Sequence, residues 1–368
     1  MRLSWPGLQV AVALVLLATG CAGQPSLTGT APAATPAATH TAPLLAADVT
    51  GGVPVELGSA GHWAIAAGRA FVVTAEGEIN SIDLASGTTR WQASFGLGQA
   101  WDAQPTIGLS SDAKTVIALR TVDIDATPSL DLLTLDAETG TGISEDLIVD
   151  PHHRWQIDLP PRILAADAET VVLADNPESG YQTAVIDRST ATLVWQASEE
   201  AVAAGSGTVI TRASGRARAS GTRLWEATTP LGPLLAQTED VVVVTAGGSG
   251  IWLDPATGAE LARTDPLGEA DPPCRPATSA LICAGAGVIG YDLATGEQLW
   301  SSPEPAEWLA TVADWVYLGR AQDRGDILDA STGEVLASDA ELPAIRYADE
   351  TGILVAAEGG YSWVPLVR

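Results

Sequence analysis

Six aspartates recur along this chain of 368 residues at the same place in a short cassette, Asp-x-x-x-Gly, the third of them with Ala191 in place of the Gly, and a seventh copy has Ala217 where the Asp would stand. The copies are Asp83 to Gly87, Asp136 to Gly140, Asp187 to Ala191, Ala217 to Gly221, Asp254 to Gly258, Asp292 to Gly296 and Asp329 to Gly333. A Trp stands eight residues after the Asp position in four of them: Trp91, Trp195, Trp225 and Trp300. A row of carboxylates can move protons or hold cations. The same residue at the same point of every copy cannot be one active site, however. An Asp followed by Ser or Thr and then Gly is what a tight turn requires: the carboxylate accepts from nearby backbone N–H groups, and Gly takes the left-handed conformation. The cassettes are therefore expected to be turns, with each Trp on the strand that follows, covering the gap to a neighbouring unit.

A second group of polar residues interrupts the repeat. The first two intervals between cassettes are 53 and 51 residues, against an average of 41 from Asp83 to Asp329. The excess carries Asp123, Asp125, Asp150, His152 and His153, and Glu178 follows in the next unit. Carboxylate and imidazole groups in this mixture suit a cation or a basic partner surface, and an ordinary solvated acidic insertion has the same composition. The other histidines are His40 and His62, and no G-x-S-x-G elbow is present, so a hydrolase triad has little to build on. Cys274 and Cys283 flank a turn and are expected to form a disulfide across one hairpin, contributing about 2.5 kcal/mol. Gly285 to Gly290 matches G-x-G-x-x-G, but a strand pattern follows it, leaving no helix N-terminus to hold a pyrophosphate.

The elements that must position these residues are short apolar runs bounded by Gly-rich turns, such as Ala70 to Thr74 and Val241 to Thr245, with no helical stripe. A period of 41 is that of a four-stranded propeller blade. The predicted fold is all-β: a β-propeller of four-stranded antiparallel blades, eight by length with seven as the alternative. After the last cassette the chain ends without an outer strand. Val53 to Leu57 can supply it, closing the ring by pairing the two terminal segments.

Ahead of the propeller, which is expected over 49–368, Arg2 precedes an apolar run from about Leu8 to Leu17 and then Ala18-Thr19-Gly20-Cys21. This predicts a signal peptide over 1–20, Cys21 as a lipidated residue anchoring the chain to the membrane, and an Ala/Thr/Pro-rich disordered tether over 21–48. The net charge of the whole chain is -27. Such acidity repels phosphate backbones and argues against a nucleic-acid partner.

The stretches Ile82 to Trp91 and Tyr291 to Trp300 resemble the repeat of the pyrroloquinoline-quinone (PQQ)-type β-propellers, and the resemblance covers roughly residues 60 to 368. That family includes quinoprotein dehydrogenases, which use PQQ and Ca²⁺, and cofactor-free relatives such as the lipoprotein scaffold of the outer-membrane barrel-assembly machinery. The dehydrogenases typically carry adjacent cysteines beside the quinone, which this chain lacks, and their functional residues find no match here. What the resemblance and the residues together imply is a membrane-tethered, extracytoplasmic, non-enzymatic module without a cofactor, binding a protein or envelope component. A PQQ-dependent dehydrogenase and a barrel-assembly-type scaffold are the alternatives.

Overall fold

The apolar runs form strands whose burial changes with their place in the blade. Arg69–Val73 is buried along almost its whole length, as is Thr170–Ala174, whereas Thr88–Ser94 is mostly exposed. A strand with apolar neighbours on both faces reads as a continuous Val/Ile/Leu run, and one at the outer edge reads polar. The structure, a computed structural model, describes residues 53–55, 57, 63–74, 77–96, 99–100, 105–124, 127–148, 161–174, 183–267, 274–320, 324–342, 345–349, 351–357 and 360–365, with no side chains described at 99–100, 123–124, 127–128, 265–266, 341 and 357.

The strands make eight antiparallel sheets, which are the eight blades of a propeller, spanning 63–94, 99–148, 162–197, 201–226, 234–266, 274–302, 308–341 and 345–365. The eighth is completed by Val53–Val55, which pairs with Gly360–Pro365 in the register Val53 to Trp363 and Val55 to Tyr361. The ring therefore closes by the predicted exchange of terminal strands. Blades eight and one are also joined by the Tyr347 hydroxyl, which donates to the Ile65 carbonyl at 3.3 Å. Within each blade the first strand lies nearest the axis, where the first strands of neighbouring blades adjoin one another. Blade 2 departs from the rest. Its first strand is in two pieces, Gln99–Ala100 and Thr106–Leu109, and its second and third, Thr115–Ile124 and Thr127–Asp136, have ten residues each.

No blade has a core of its own. The buried apolar residues fall into eight clusters, and each joins two consecutive blades: Phe71 and Ile79 of blade 1 pack with Val116 and Leu133 of blade 2, for example, and Val55 and Trp363 of blade 8 with Ile65 and Ile82 of blade 1. The cassettes lie between third and fourth strands, sharing one face of the ring with the turns between first and second strands. We call this the turn face. The hairpins between second and third strands and the connectors between blades lie on the opposite, hairpin face.

The cassette works as its residue types predict. Asp136 Oδ1 accepts from the N–H of Glu138 and Thr139, Gly140 N–H closes the turn on the Asp136 carbonyl, and Gly140 has φ +69°. The Trp then latches the next blade. Trp91 Nε1 donates to the Ala137 carbonyl at 3.1 Å, Trp195 to that of Arg218 at 2.7 Å, Trp225 to that of Pro255 at 3.0 Å and Trp300 to that of Ala330 at 2.8 Å. The acceptor is always the second residue of the next cassette, and the indole lies flat against that cassette's Gly. A Cβ added to Gly140 would stand 2.5 Å from Trp91, and one on Gly333 2.6 Å from Trp300.

Three cassettes lack the Trp; the one in blade 7 has Ala337 there, and the other two follow the same rule. Blade 5 has Ala262 at the Trp position, and Trp252 of its third strand takes over, donating to the Leu293 carbonyl at 2.9 Å. Blade 2 has Ser144 there, bonded instead to Thr134, and the cassette it faces is the one with Ala191 in place of Gly. With no indole overhead, Ala191 keeps its methyl at φ 50°, and the joint is filled by Ile117, Leu119, Leu132 and Ile186.

Gly333→Ala should therefore cost about 2–5 kcal/mol, from left-handed backbone strain and collision with Trp300. Denaturant unfolding will also show that Ser144→Trp is destabilising alone and less so combined with Ala191→Gly, since only the double variant recreates the latch.

Candidate functional site

Among the described residues, the largest departure in strand length lies on the hairpin face. The third strand of blade 2 begins at Thr127, nine residues before its cassette Asp136, whereas Glu78 and Arg324 begin theirs five before Asp83 and Asp329. Four extra residues per strand at 3.3 Å each carry this hairpin about 13 Å further than those of blades 1 and 7. Asp123 lies on it, paired in register with Pro128. The structure does not describe its side chain, and Asp125, Asp150, His152, His153 and Glu178 lie outside the described residues. The described strand ends that border these segments, at Ile124, Thr127, Ile148, Arg162, Ala174 and Thr183, all open on the hairpin face. No group of three or more His, Cys, Asp or Glu side chains able to hold a metal ion occurs among the described residues.

At the level where the blade 2 hairpin leaves the ring stands a buried ion pair that sequence reasoning missed. Arg120 and Asp131 face each other across the second and third strands, with Nε and Nη2 donating to Asp131 Oδ2 at 2.9 and 2.7 Å. Asp131 is fully buried and Arg120 nearly so. The guanidinium lies 4.4 Å from the centre of the Phe95 ring, from the end of blade 1. Burial raises the Asp131 pKa to about 6, against the pull of Arg120 and with a further push from Glu145 and Asp146. Glu145 in turn accepts the Gly96 N–H at 2.6 Å, tying the blade 1 exit to the outer strand of blade 2. The signal in the sequence was faint: the two residues are partners only through the register of the second and third strands.

A cleft of about 380 Å³ opens on the same face at blade 7, lined among others by Ser302, Glu304, Arg320, Asp326 and Asp339. Arg320 bridges Glu304 and Asp326, and Arg324 holds Asp339 through two hydrogen bonds of 2.9 and 2.6 Å. Asp339 has φ 53°, and its N–H donates to Asp326 Oδ1. The Arg324 hydrogen bond holds the Asp339 carboxyl below the usual range, which makes it a poor proton donor. The cleft is a closed charge network.

The remaining sequence candidates are structural. Cys274 and Cys283 are register partners on the first and second strands of blade 6 and form the disulfide. The G-x-G-x-x-G segment is the hairpin of the same blade, with Gly285 N–H donating to the Gly287 carbonyl and a strand, Val288–Asp292, following. Cys21 lies outside the described residues.

Loss of Arg120 should strand a buried carboxylate and cost about 3–5 kcal/mol, while Arg120→Met with Asp131→Leu should restore most of it. Because the Asp131 pKa is raised on folding, the native chain binds more protons than the unfolded one between about pH 4 and pH 6, so this group's contribution to stability falls as pH rises through that window. Denaturant titrations at stepped pH should show the stability of the wild type relative to Asp131→Asn decreasing from pH 4 to pH 7. An increase would mean that Arg120 outweighs burial.

Comparison with known proteins bears on the fold. The model of a family described as outer membrane protein assembly factor BamB matches residues 211–359. No curated protein matches the chain. Among solved structures, BamB from Moraxella catarrhalis is similar over 86% of this chain and 100% of its own, at 14% identity and a TM-score of 0.56. The computationally designed Ika8 protein is similar over the same shares, at 17% identity and a TM-score of 0.55. A natural assembly factor and a designed protein are thus equally good matches, and at these identities the likeness is one of fold. The fold is that of an eight-bladed β-propeller, and the segment matched by the family model spans residues 211–359 of it.

Proposed function

We propose that this chain is a membrane-tethered, extracytoplasmic scaffold that docks a protein or other envelope component on the hairpin face of its ring. The observation that carries the reading is the long hairpin of blade 2, which stands about 13 Å proud of its counterparts in blades 1 and 7 and is anchored at its root by the Arg120–Asp131 pair. Insertions of this kind in a regular repeat are where binding specificity resides, because a closed ring gains nothing in stability from them.

The turn face is the poorer candidate. Its carboxylates are engaged in turns, where the Thr139 hydroxyl and N–H hold Asp136, and the Thr257 and Ala256 N–H groups hold Asp254, below the usual range. Support for a scaffold comes also from the family whose model matches, described as an outer-membrane assembly factor, though the match covers only residues 211–359. The anchor is the lipidated Cys21, with residues 21–48 as the tether.

Two experiments in cells test this. A photo-crosslinking residue at Thr127, on the blade 2 hairpin, should yield a discrete adduct that the same residue at Glu297, on the turn face, does not; adducts common to both sites, or none at Thr127, would remove the docking-face reading. Cys21→Ser should shift the chain from the membrane to the soluble fraction, and unchanged membrane retention would remove the lipid anchor.

A further inference from the structure

Blade 4 reverses the charge of the ring. From Ala201 to Trp225 the chain has Arg212, Arg216, Arg218 and Arg223 and no acidic residue, whereas the whole chain has 45 acidic groups against 18 basic ones. Arg218 is buried, pairs with Asp167 at 3.0 Å and donates to the Gly205 and Thr170 carbonyls, so it belongs to the packing of the ring. The other three turn to the connector that leaves blade 3, in a stretch where every side chain from Thr183 to Thr264 is described.

There they meet two carboxylates that are neighbours in the chain. Glu199 Oε1 lies 3.3 Å from Arg216 Nη2 and 3.5 Å from Arg223 Nη2, and Glu200 Oε2 accepts from Arg212 Nε at 2.5 Å. Arg162 of blade 3 reaches the other Glu200 oxygen at 3.6 Å. Four guanidiniums thus share two carboxylates. The convergence is built into the sheet, because Arg216 and Arg223 are register partners on the third and fourth strands of blade 4, Ser214–Ala217 and Arg223–Glu226. Like charges directly opposite each other cost stability, and Glu199 offsets this from a fixed position, where it accepts from the Thr211 and Ser214 hydroxyls at 2.6 and 2.7 Å. The two signs lie at different depths. The Glu199 and Glu200 side chains are 22% and 18% exposed, whereas those of Arg212 and Arg223 are each 48% exposed. What a partner meets at this rim is therefore the positive charge.

We propose that the rim between blades 3 and 4 docks an acidic segment of a partner protein, with Arg212 and Arg223 as the groups that receive its carboxylates. A guanidinium has five N–H donors in a planar fork that matches the two oxygens of a carboxylate. Arg223 meets Glu199 and Glu226 only at 3.5 and 3.6 Å, longer than a hydrogen bond, so its donors are available to a further carboxylate. A short acidic segment suits this rim better than a long polyanion. The attraction is confined to one blade, and beyond it the field of an acidic chain repels what a nucleic acid or an anionic surface would bring. The proposal rests on the docking reading for the existence of a partner and adds that partner's chemistry.

The test uses the full chain and fluorescein-labelled hexaglutamate, with labelled hexaglutamine as the control, followed by fluorescence anisotropy at stepped ionic strength. Hexaglutamate should bind at low salt and weaken as salt is raised, and hexaglutamine should not bind. Arg212→Gln and Arg223→Gln should each weaken binding roughly fivefold. Glu226→Gln, which removes a carboxylate 72% exposed and 3.6 Å from Arg223, should strengthen it roughly twofold. Arg263→Gln on blade 5, where the arginine is held by Glu260, should leave it unchanged. Equal binding of hexaglutamine, no binding at low salt, or binding unaltered in the Arg212→Gln, Arg223→Gln double variant would overturn the proposal. A single-stranded oligonucleotide that binds more tightly than hexaglutamate through the same arginines would assign the rim to polyanions at large and overturn it as well. Arg216, which also donates to the Gly221 carbonyl, is left in place, so the variants should keep the wild-type unfolding midpoint. A crosslink at Thr127 without hexaglutamate binding would keep the docking reading and remove this one.

Discussion

A four-stranded blade is too thin to bury its own side chains, and the rest of this molecule follows from that limit. The middle strands need cover on both faces, and only the blades before and after can give it, which is why the buried residues divide into eight clusters that each span a joint. Stability therefore resides in the joints, and a repeat protein built this way is held by nearest-neighbour terms. The Trp latch adds direction to contacts that apolar packing alone leaves free to slide. Its indole covers the next cassette while its N–H fixes one carbonyl, so both the spacing and the tilt of the next blade are set by one side chain. The Gly of each latched cassette then answers to two demands, a left-handed backbone and the absence of a methyl beneath the ring.

That double demand explains how much of the fold was legible in the sequence. Turn chemistry is local, so Asp136 to Gly140 or Asp292 to Gly296 can be read without knowing what lies above them. Ring closure was legible by arithmetic, because an outer strand was missing at one end of the repeat and Val53 to Leu57 was spare at the other. Trp252 was not legible as a latch. It precedes Asp254 by two residues, on the third strand, and a search in register finds Ala262 instead. The departure at Ala191 looked like a lapse in the motif, yet it compensates for Ser144 one blade earlier, a relation that exists only across a joint.

The candidate sites were less legible for a related reason. Acidic and histidine residues between Asp123 and Glu178 stood out by type, and the strand ends around them do share a face. The buried Arg120–Asp131 pair did not stand out, since its partners are set by hairpin register.

The Trp latches act at one face of the ring. Every latch acceptor belongs to a cassette, and every cassette is on the turn face, so these bonds are all made at one end of the joints. Blade 2, whose hairpin on the other face is lengthened, still receives the Trp91 latch at its cassette, but it has Ser144 where its own Trp would stand and joins blade 3 by apolar packing. The cost of such an extension is confined to its root, where the backbone must be covered and any charge matched, and there the Arg120 guanidinium is capped by Phe95 and paired with Asp131. A ring built this way can change what it presents on the hairpin face while its latched joints are held on the turn face.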